Sequence, residues 1–301
     1  MEIHQLEYLA AVAEEGSISK AARRVGVAQP SLSQQVKKLE DELGHRLLDR
    51  LPKGVVPTEA GRQLLEHARR VLAEIADARR RIGDTPGHVT GSLAVGAIPT
   101  MAPFLLPGVL RRFAKSHPDV RLTVIEDVTD RLLGALERGE IDVAVLSSAH
   151  APATVHCDRV AREPLRLMLP ANHPLAKSQK GRAKQQPAAV PWRAVAGERM
   201  IVLQEMHCLA GQVSRFCDRA GVRPPVFMRG AQLSTVAAMV AAGLGVSVVP
   251  EMMCRAASWP GCAVRAIAGE SPTRDICLAW SLLRYRTNAA RAFENLLRNS
   301  L

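Results

Sequence analysis

Two cysteines nine positions apart, Cys208 and Cys217, with His207 directly before the first, are the side chains in this sequence best suited to chemistry. Cys208 falls near the start of a helix predicted over residues 208–220, where the helix dipole favours the thiolate. The thiolate is the nucleophilic form of cysteine, and its oxidation gives a sulfenic acid that condenses with a second thiol. Spacing restricts that second step. Along one helix, nine residues rise about 13–14 Å and turn through about 900°, which sets the two thiols on opposite sides. A disulfide needs Cα atoms within about 7 Å, so this pair bridges only if the segment unwinds. A plainer reading is also open, in which the cysteines fill core positions as small apolar residues. Cys157, Cys254, Cys262 and Cys277 are expected to do that.

Other reaction types lack their residues. The sequence holds no C-x-x-C pair, no His/Cys cluster at zinc spacing, no phosphate-cradling glycine loop and no G-x-S-x-G, so no metal, cofactor or enzymatic activity is expected. Six cysteines scattered over 301 residues fit reduced thiols better than a secreted disulfide scaffold. An acid-bearing start and the lack of a long apolar run predict neither secretion nor a membrane span, and therefore a cytoplasmic location. Apolar residues make up 47% and charged residues 23%, ordinary values for a globular chain long enough for two or more domains. The net charge of +11 invites a polyanionic partner, yet residues 1–90 carry 14 Lys and Arg against 13 Asp and Glu. The excess lies downstream, partly in KSQKGRAK at 177–184, which reads as a solvated loop.

The elements that position these residues fall into two textures. Residues 3–82 read as almost wholly helical, ending at the turn formers Gly83-Asp84-Thr85-Pro86-Gly87. Beyond them, apolar runs at 93–97, 122–125 and 143–146 alternate with helical stretches at 103–116 and 129–138. This βαβαβ rhythm predicts a parallel sheet covered on both faces. Further strands are expected at 165–169, 200–203, 246–249 and 276–280, with helices at 208–220, 232–242 and 286–299.

In the first texture, SKAARRVGVAQPSLSQQVKKLE at 19–40 is the most informative stretch. A short helix bearing Ala21 and Ala22 allows a second helix to cross closely, and Gly26 sits where a left-handed terminating residue is wanted. A second helix starts near Gln29, with Pro30 in its first turn, where a missing N–H costs nothing. Ala28, at the N-cap, lacks a capping oxygen. Leu32, Val36, Leu39 and Leu43 form one apolar stripe facing the core. Opposite lie Ser31, Ser33, Gln34, Lys37 and Lys38, with Gln29 at the exposed end. Polar groups there can reach base edges in a major groove, and basic groups can reach phosphate. Two short extended pieces around Lys53-Gly54 form a wing that places Arg50 and Lys53 for backbone or minor-groove contact.

Residues 1–85 resemble the N-terminus of LysR-type transcriptional regulators, through LEYLAAVAEEGSISKAARRVGVAQPSLSQQVKKLEDELGHRLLDR, the wing and Thr58-Glu59-Ala60-Gly61. The resemblance implies that Gln29, Pro30, Ser31, Ser33, Gln34 and Lys53 contact promoter DNA. The following helix, predicted from Thr58 to Ile82, carries Leu64, Ala68, Val71, Ile75, Ala78 and Ile82 as a heptad seam for a second copy. A homodimer or a dimer of dimers is the expected assembly, with RNA polymerase as a further partner.

From Gly91 onward the chain resembles the LysR-type effector domain, through Gly91-Ser-Leu-Ala-Val-Gly-Ala-Ile-Pro-Thr100, Gly139-Glu-Ile-Asp142-Val-Ala-Val-Leu and Val240-Ala-Ala-Gly-Leu-Gly-Val-Ser-Val-Val-Pro250. The implied fold class is α+β multidomain: a winged helix-turn-helix over 1–58, a linker and dimerisation helix over 59–87, and a two-lobed α/β effector domain of periplasmic-binding-protein type over 88–301. Lobe I would comprise 91–162 and 268–301, and lobe II 163–267. Thr100, after a strand and before a helix, should face the cleft between them.

Met206-His207-Cys208-Leu209, followed by Cys217, further resembles the peroxide-sensing OxyR branch of this family. That resemblance implies that Cys208 is oxidised by hydrogen peroxide and Cys217 resolves it, with Thr100 and His207 orienting peroxide and Arg274 supplying positive charge. The sequence departs from that branch at Met206, at Ala210-Gly211 in place of an Arg-Asp pair, and at Ser281 in place of an arginine. Fewer cations would weaken the thiolate. The alternative expectation is a small organic anion bound between the lobes, with no redox role for the cysteines.

Overall fold

The computed structural model describes residues 1–52, 54–84, 87–147, 151–176, 189–269 and 271–301. Lys53 and the basic run at 177–184 lie outside the described residues. The chain divides into two compact units, Met1–Gly83 and Asp84–Leu301.

The first unit begins with three helices, α1 (Ile3–Glu15), α2 (Ile18–Val25) and α3 (Gln29–Leu43). The Ser17 side chain caps α2 by accepting from the Lys20 backbone N–H, and Gly26 ends the helix at φ 75°. Ala21 and Ala22 are buried where α1 and α3 pack against α2, so small size permits the close crossing. Pro30 occupies the first turn of α3, and Ala28 provides no side-chain cap. Leu32, Val36 and Leu39 are buried in the three-helix core. Each fully buried leucine there contributes roughly 1.5–3 kcal/mol. Leu43 departs from the predicted stripe. It is 38% exposed, because α3 closes at Gly44 and its last turn overhangs the core.

Strands β1 (Leu48–Leu51) and β2 (Gly54–Pro57) pair antiparallel as the wing. Helix α4 (Glu59–Gly83) follows, capped by Thr58, whose Oγ1 accepts from the Gly61 N–H at 3.0 Å and donates to the Arg46 carbonyl at 2.7 Å. The predicted seam of α4 divides. Ala68 is buried in this unit's own core beside Leu65, whereas Val71 is 44% and Ile82 88% exposed. The helix therefore packs on this domain's core as far as Leu72, while Val71 and, farther along, Ile82 stand open.

The second unit opens with β3 (Gly91–Ala97), α5 (Ala102–Ser116), β4 (Val120–Glu126), α6 (Thr129–Arg138) and β5 (Val143–Leu146), in which β3 pairs parallel with β4 and β5. A sixteen-residue strand, β6 (Val155–Pro170), comes next. Then follow β7 (Val190–Pro191), β8 (Met200–Leu203), α7 (Cys208–Arg219), β9 (Val226–Gly230), α8 (Leu233–Ala241), β10 (Ser247–Pro250), α9 (Glu251–Ala256), β11 (Cys262–Arg265), β12 (Ile267–Ala268), β13 (Thr273–Ser281) and α10 (Asn288–Arg298).

The main sheet runs β10-β6-β13-β5-β3-β4, with β11 also on β6. The βαβαβ part, β4-β3-β5, is parallel as expected, and the later strands make the whole sheet mixed: β13 lies antiparallel to both β5 and β6. Strands β5 and β6 thus run in the same direction on either side of β13, which returns between them in the opposite sense. Two hydrophobic cores result. One gathers Leu93, Val95, Phe113, Leu132 and Phe293, and the other Leu167, Ile201, Phe216, Val240 and Val249. Strand β6 contributes to both, through Val155 and then Leu165, Leu167 and Leu169.

Candidate functional site

The first unit presents one polar helix face. Gln29, Pro30, Ser31, Gln34 and Lys37 are exposed along α3, because burial of Leu32, Val36 and Leu39 fixes the rotation of the helix. Ser33 is half-buried, and its Oγ accepts from Arg50 Nη2 of β1 at 3.1 Å. Helix and wing are thus joined by a polar contact that leaves the rest of the guanidinium exposed. A concavity of about 710 Å³ lies between α3 and β1, lined among others by Ser33, Lys37, Arg46 and Arg50.

In the second unit, two of the expected side chains, Thr100 and Arg274, are hydrogen-bonded to each other. Arg274, on β13, is buried, as are Thr100 and Glu163. Its Nη1 donates to Thr100 Oγ1 at 2.9 Å, its Nη2 to the Thr100 carbonyl at 3.1 Å, and its Nε to Glu163 Oε2 at 2.6 Å. Glu163 and Arg274 are direct cross-strand partners in the β6–β13 ladder, so register alone brings the two charges together. Burial pulls the Arg274 guanidinium below its ordinary pKa, and Glu163 opposes that. Arginine remains charged even so. Arg274 also interacts electrostatically with the Cys208 sulfur.

Cys208 is the first residue of α7 and half-buried, while His207 is buried at the N-cap position. The His207 backbone N–H donates to the Gln204 carbonyl at 3.0 Å, which fixes the chain's entry into the helix. Thr129, the first residue of α6, lies 2.8 Å from the Cys208 sulfur through its Oγ1. Two helix N-termini therefore converge on one thiol, with a buried guanidinium nearby.

Cys217 lies near the other end of α7, buried beside Val213 and Phe216, and burial pushes its thiol pKa up, with Asp218 adding to the effect. Both cysteines occupy one helix, and none of the six cysteines is in a disulfide. Cys277 is buried, whereas Cys157, Cys254 and Cys262 are half-buried.

Sequence reasoning missed Thr129, Glu163, Ser147 and Gln212. Thr129 carries the signal that identified Thr100, a threonine between a strand and a helix. Glu163 gives none, since a charged residue in a strand reads as surface until the register is known. Gln212 Nε2 donates to Ser147 Oγ at 2.7 Å, a contact between residues 65 positions apart. No local pattern announces that.

Comparison with known proteins agrees with this geometry. Residues 3–62 match the bacterial regulatory helix-turn-helix of the lysR family, and residues 86–301 match the LysR substrate binding domain. The chain belongs to the LysR family of DNA-binding transcription regulators. It is 34% identical over 252 residues to the DNA-binding transcriptional dual regulator OxyR of Escherichia coli (strain K12), covering 84% of this chain and 80% of that one. It is 36% identical over 248 residues to a probable hydrogen peroxide-inducible genes activator of Mycobacterium avium, covering 82% and 76%. A full-length OxyR variant from Pseudomonas aeruginosa, 29% identical, superposes with a TM-score of 0.76 over 100% of this chain and 97% of that one. Full-length CbnR in complex with its target DNA, 26% identical, gives 0.73 over 100% of both. No helix among the described residues is long and apolar enough to cross a membrane.

Proposed function

We propose that this regulator is switched by hydrogen peroxide at Cys208. The observation that carries the reading is the Cys208 thiol at the joined N-termini of α6 and α7, 2.8 Å from Thr129 and within the field of buried Arg274. The Cys208 thiolate attacks one peroxide oxygen, the O–O bond breaks, and the departing hydroxide takes a proton to leave as water. Cys208 is then a sulfenic acid. The Cys217 sulfur displaces its hydroxyl, giving the disulfide and a second water. Thr100 and His207 orient the reactant, and Arg274 supplies the positive charge. Three N–H groups of Arg274 are already committed to Thr100 and Glu163, which suits a small neutral reactant better than an organic carboxylate. A second reading, a regulator of LysR type sensing an organic anion between the lobes, is favoured by Ala210, Gly211 and Ser281, which leave the thiol with fewer cations.

DNA is read by Gln29, Pro30, Ser31, Ser33 and Gln34, with Lys37, Arg50 and Lys53 on the phosphate backbone. Residues 1–58 form the reading domain, 59–87 the dimerising helix and 88–301 the sensor. The active species is a homodimer or a dimer of dimers on promoter DNA in the cytoplasm, acting with RNA polymerase. Free-thiol counting before and after stoichiometric peroxide tests the switch. Wild type should lose two thiols and Cys208→Ser none; a wild type that keeps all its thiols at micromolar peroxide would favour the organic effector.

A further inference from the structure

We infer that Ser147 is a positioning residue that sets the barrier between oxidation of Cys208 and closure of the bridge to Cys217. The inference rests on the peroxide reading above. Ser147 follows β5 and is buried. Its single hydroxyl proton goes to the Asp275 carbonyl of β13, at 3.0 Å, so a lone pair receives the Gln212 Nε2 proton at 2.7 Å. Asp275 adjoins Arg274. Ser147 thus ties α7 to the strand that holds the guanidinium.

Cys208 and Gln212 stand at i and i+4, on one side of α7. Thr129 holds the first and Ser147 the second, so that side of the helix is attached one turn apart. Farther around the helix, Val213, Phe216 and Cys217 pack into the second hydrophobic core. Bridging Cys208 to Cys217 requires α7 to unwind, which breaks both attachments. The attachment at Thr129 ends with the thiol itself, because oxidation converts that sulfur. The attachment at Ser147 has no part in the thiol chemistry and persists after the sulfenic acid has formed. It is also a weak hold, since Gln212 Oε1 is buried without a hydrogen-bond partner. A half-satisfied amide resists unwinding by a small margin. Such a margin lets one oxidation event release the helix.

Two measurements on full-length Ser147→Ala separate this inference from the reading beneath it. In a Cys217→Ser background, trapping of the sulfenic acid with dimedone should proceed within about twofold of the parent rate. With Cys217 present, disulfide formation should be about five- to tenfold faster, the factor for one neutral hydrogen bond. In the reduced protein, without peroxide, amide exchange over Cys208–Arg219 should accelerate by a similar factor, while Leu233–Ala241 is unchanged. Gln212→Leu, which breaks the same link from the helix side, should reproduce the exchange result if Ser147→Ala folds poorly. Disulfide formation and exchange both at the parental rate would overturn the role of Ser147, as would a sulfenic acid rate raised as much as the disulfide rate. If exchange accelerates but peroxide consumes no thiol, the attachment stands and the peroxide reading falls.

Discussion

The thiol proposed as the sensor, Cys208, draws its surroundings from separate parts of the chain. The helix start is local, Thr129 is brought by α6, and Arg274 is held by Glu163 across the β6–β13 ladder. Thr129→Val should slow peroxide consumption of the Cys208 thiol by about tenfold, the worth of one hydrogen bond at the reacting sulfur, with unfolding midpoints little changed. Stopped-flow oxidation under excess peroxide reads that rate directly. A different thiol reports on stability. Burial pushes the Cys254 pKa from 9.0 up to about 11. In the unfolded chain this thiol ionises near its ordinary value, so its contribution is intact below pH 9.0 and is lost as pH rises towards about 11. Denaturant midpoints across that window should fall more steeply for wild type than for Cys254→Ala.

Helix α3 and the wing are the elements proposed to read DNA, and the rotation of α3 follows from three buried residues, Leu32, Val36 and Leu39. Gln29→Ala should weaken binding to a specific operator by about ten- to a hundredfold, the range for one good base contact, while binding to unrelated duplex changes little. Fluorescence anisotropy at fixed salt makes the comparison. These elements were legible in the sequence because their signals are local: the 3.6-residue period, Pro30 in a first turn, Gly26 at a helix end. The reversal of β13 was not, since an apolar run records burial without direction. The thiol site divides the same way. Cys208 and His207 announced themselves, but Glu163, Ser147 and Gln212 acquire their roles through contacts 65 or more positions away. Leu43 failed its expected burial because periodicity does not say where the facing core ends. On α4, Val71 of the expected seam is exposed. Val71→Asp should raise the dimer dissociation constant about tenfold or more, with the unfolding of each chain little affected, as sedimentation against concentration would show.

At the scale of the whole molecule, the chain joins a helical reading unit to an α/β unit in which the candidate thiols share one helix that their own chemistry must break. A switch of this kind is discrete. Helix α7 either packs with Cys217 in the second core, or unwinds far enough for two sulfurs to meet. On the proposed switch, release of α7 would change the surface that the sensor presents, and a regulator bound to two half-sites would report such a change as a shift in the DNA it covers. The most direct test is a DNase footprint on promoter DNA, taken before and after one equivalent of hydrogen peroxide. Wild type should exchange one pattern of protection for another and recover the first on adding dithiothreitol, while Cys208→Ser keeps a single pattern throughout. Identical footprints for reduced and oxidised wild type, with Cys208 oxidation verified in the same sample, would contradict the account.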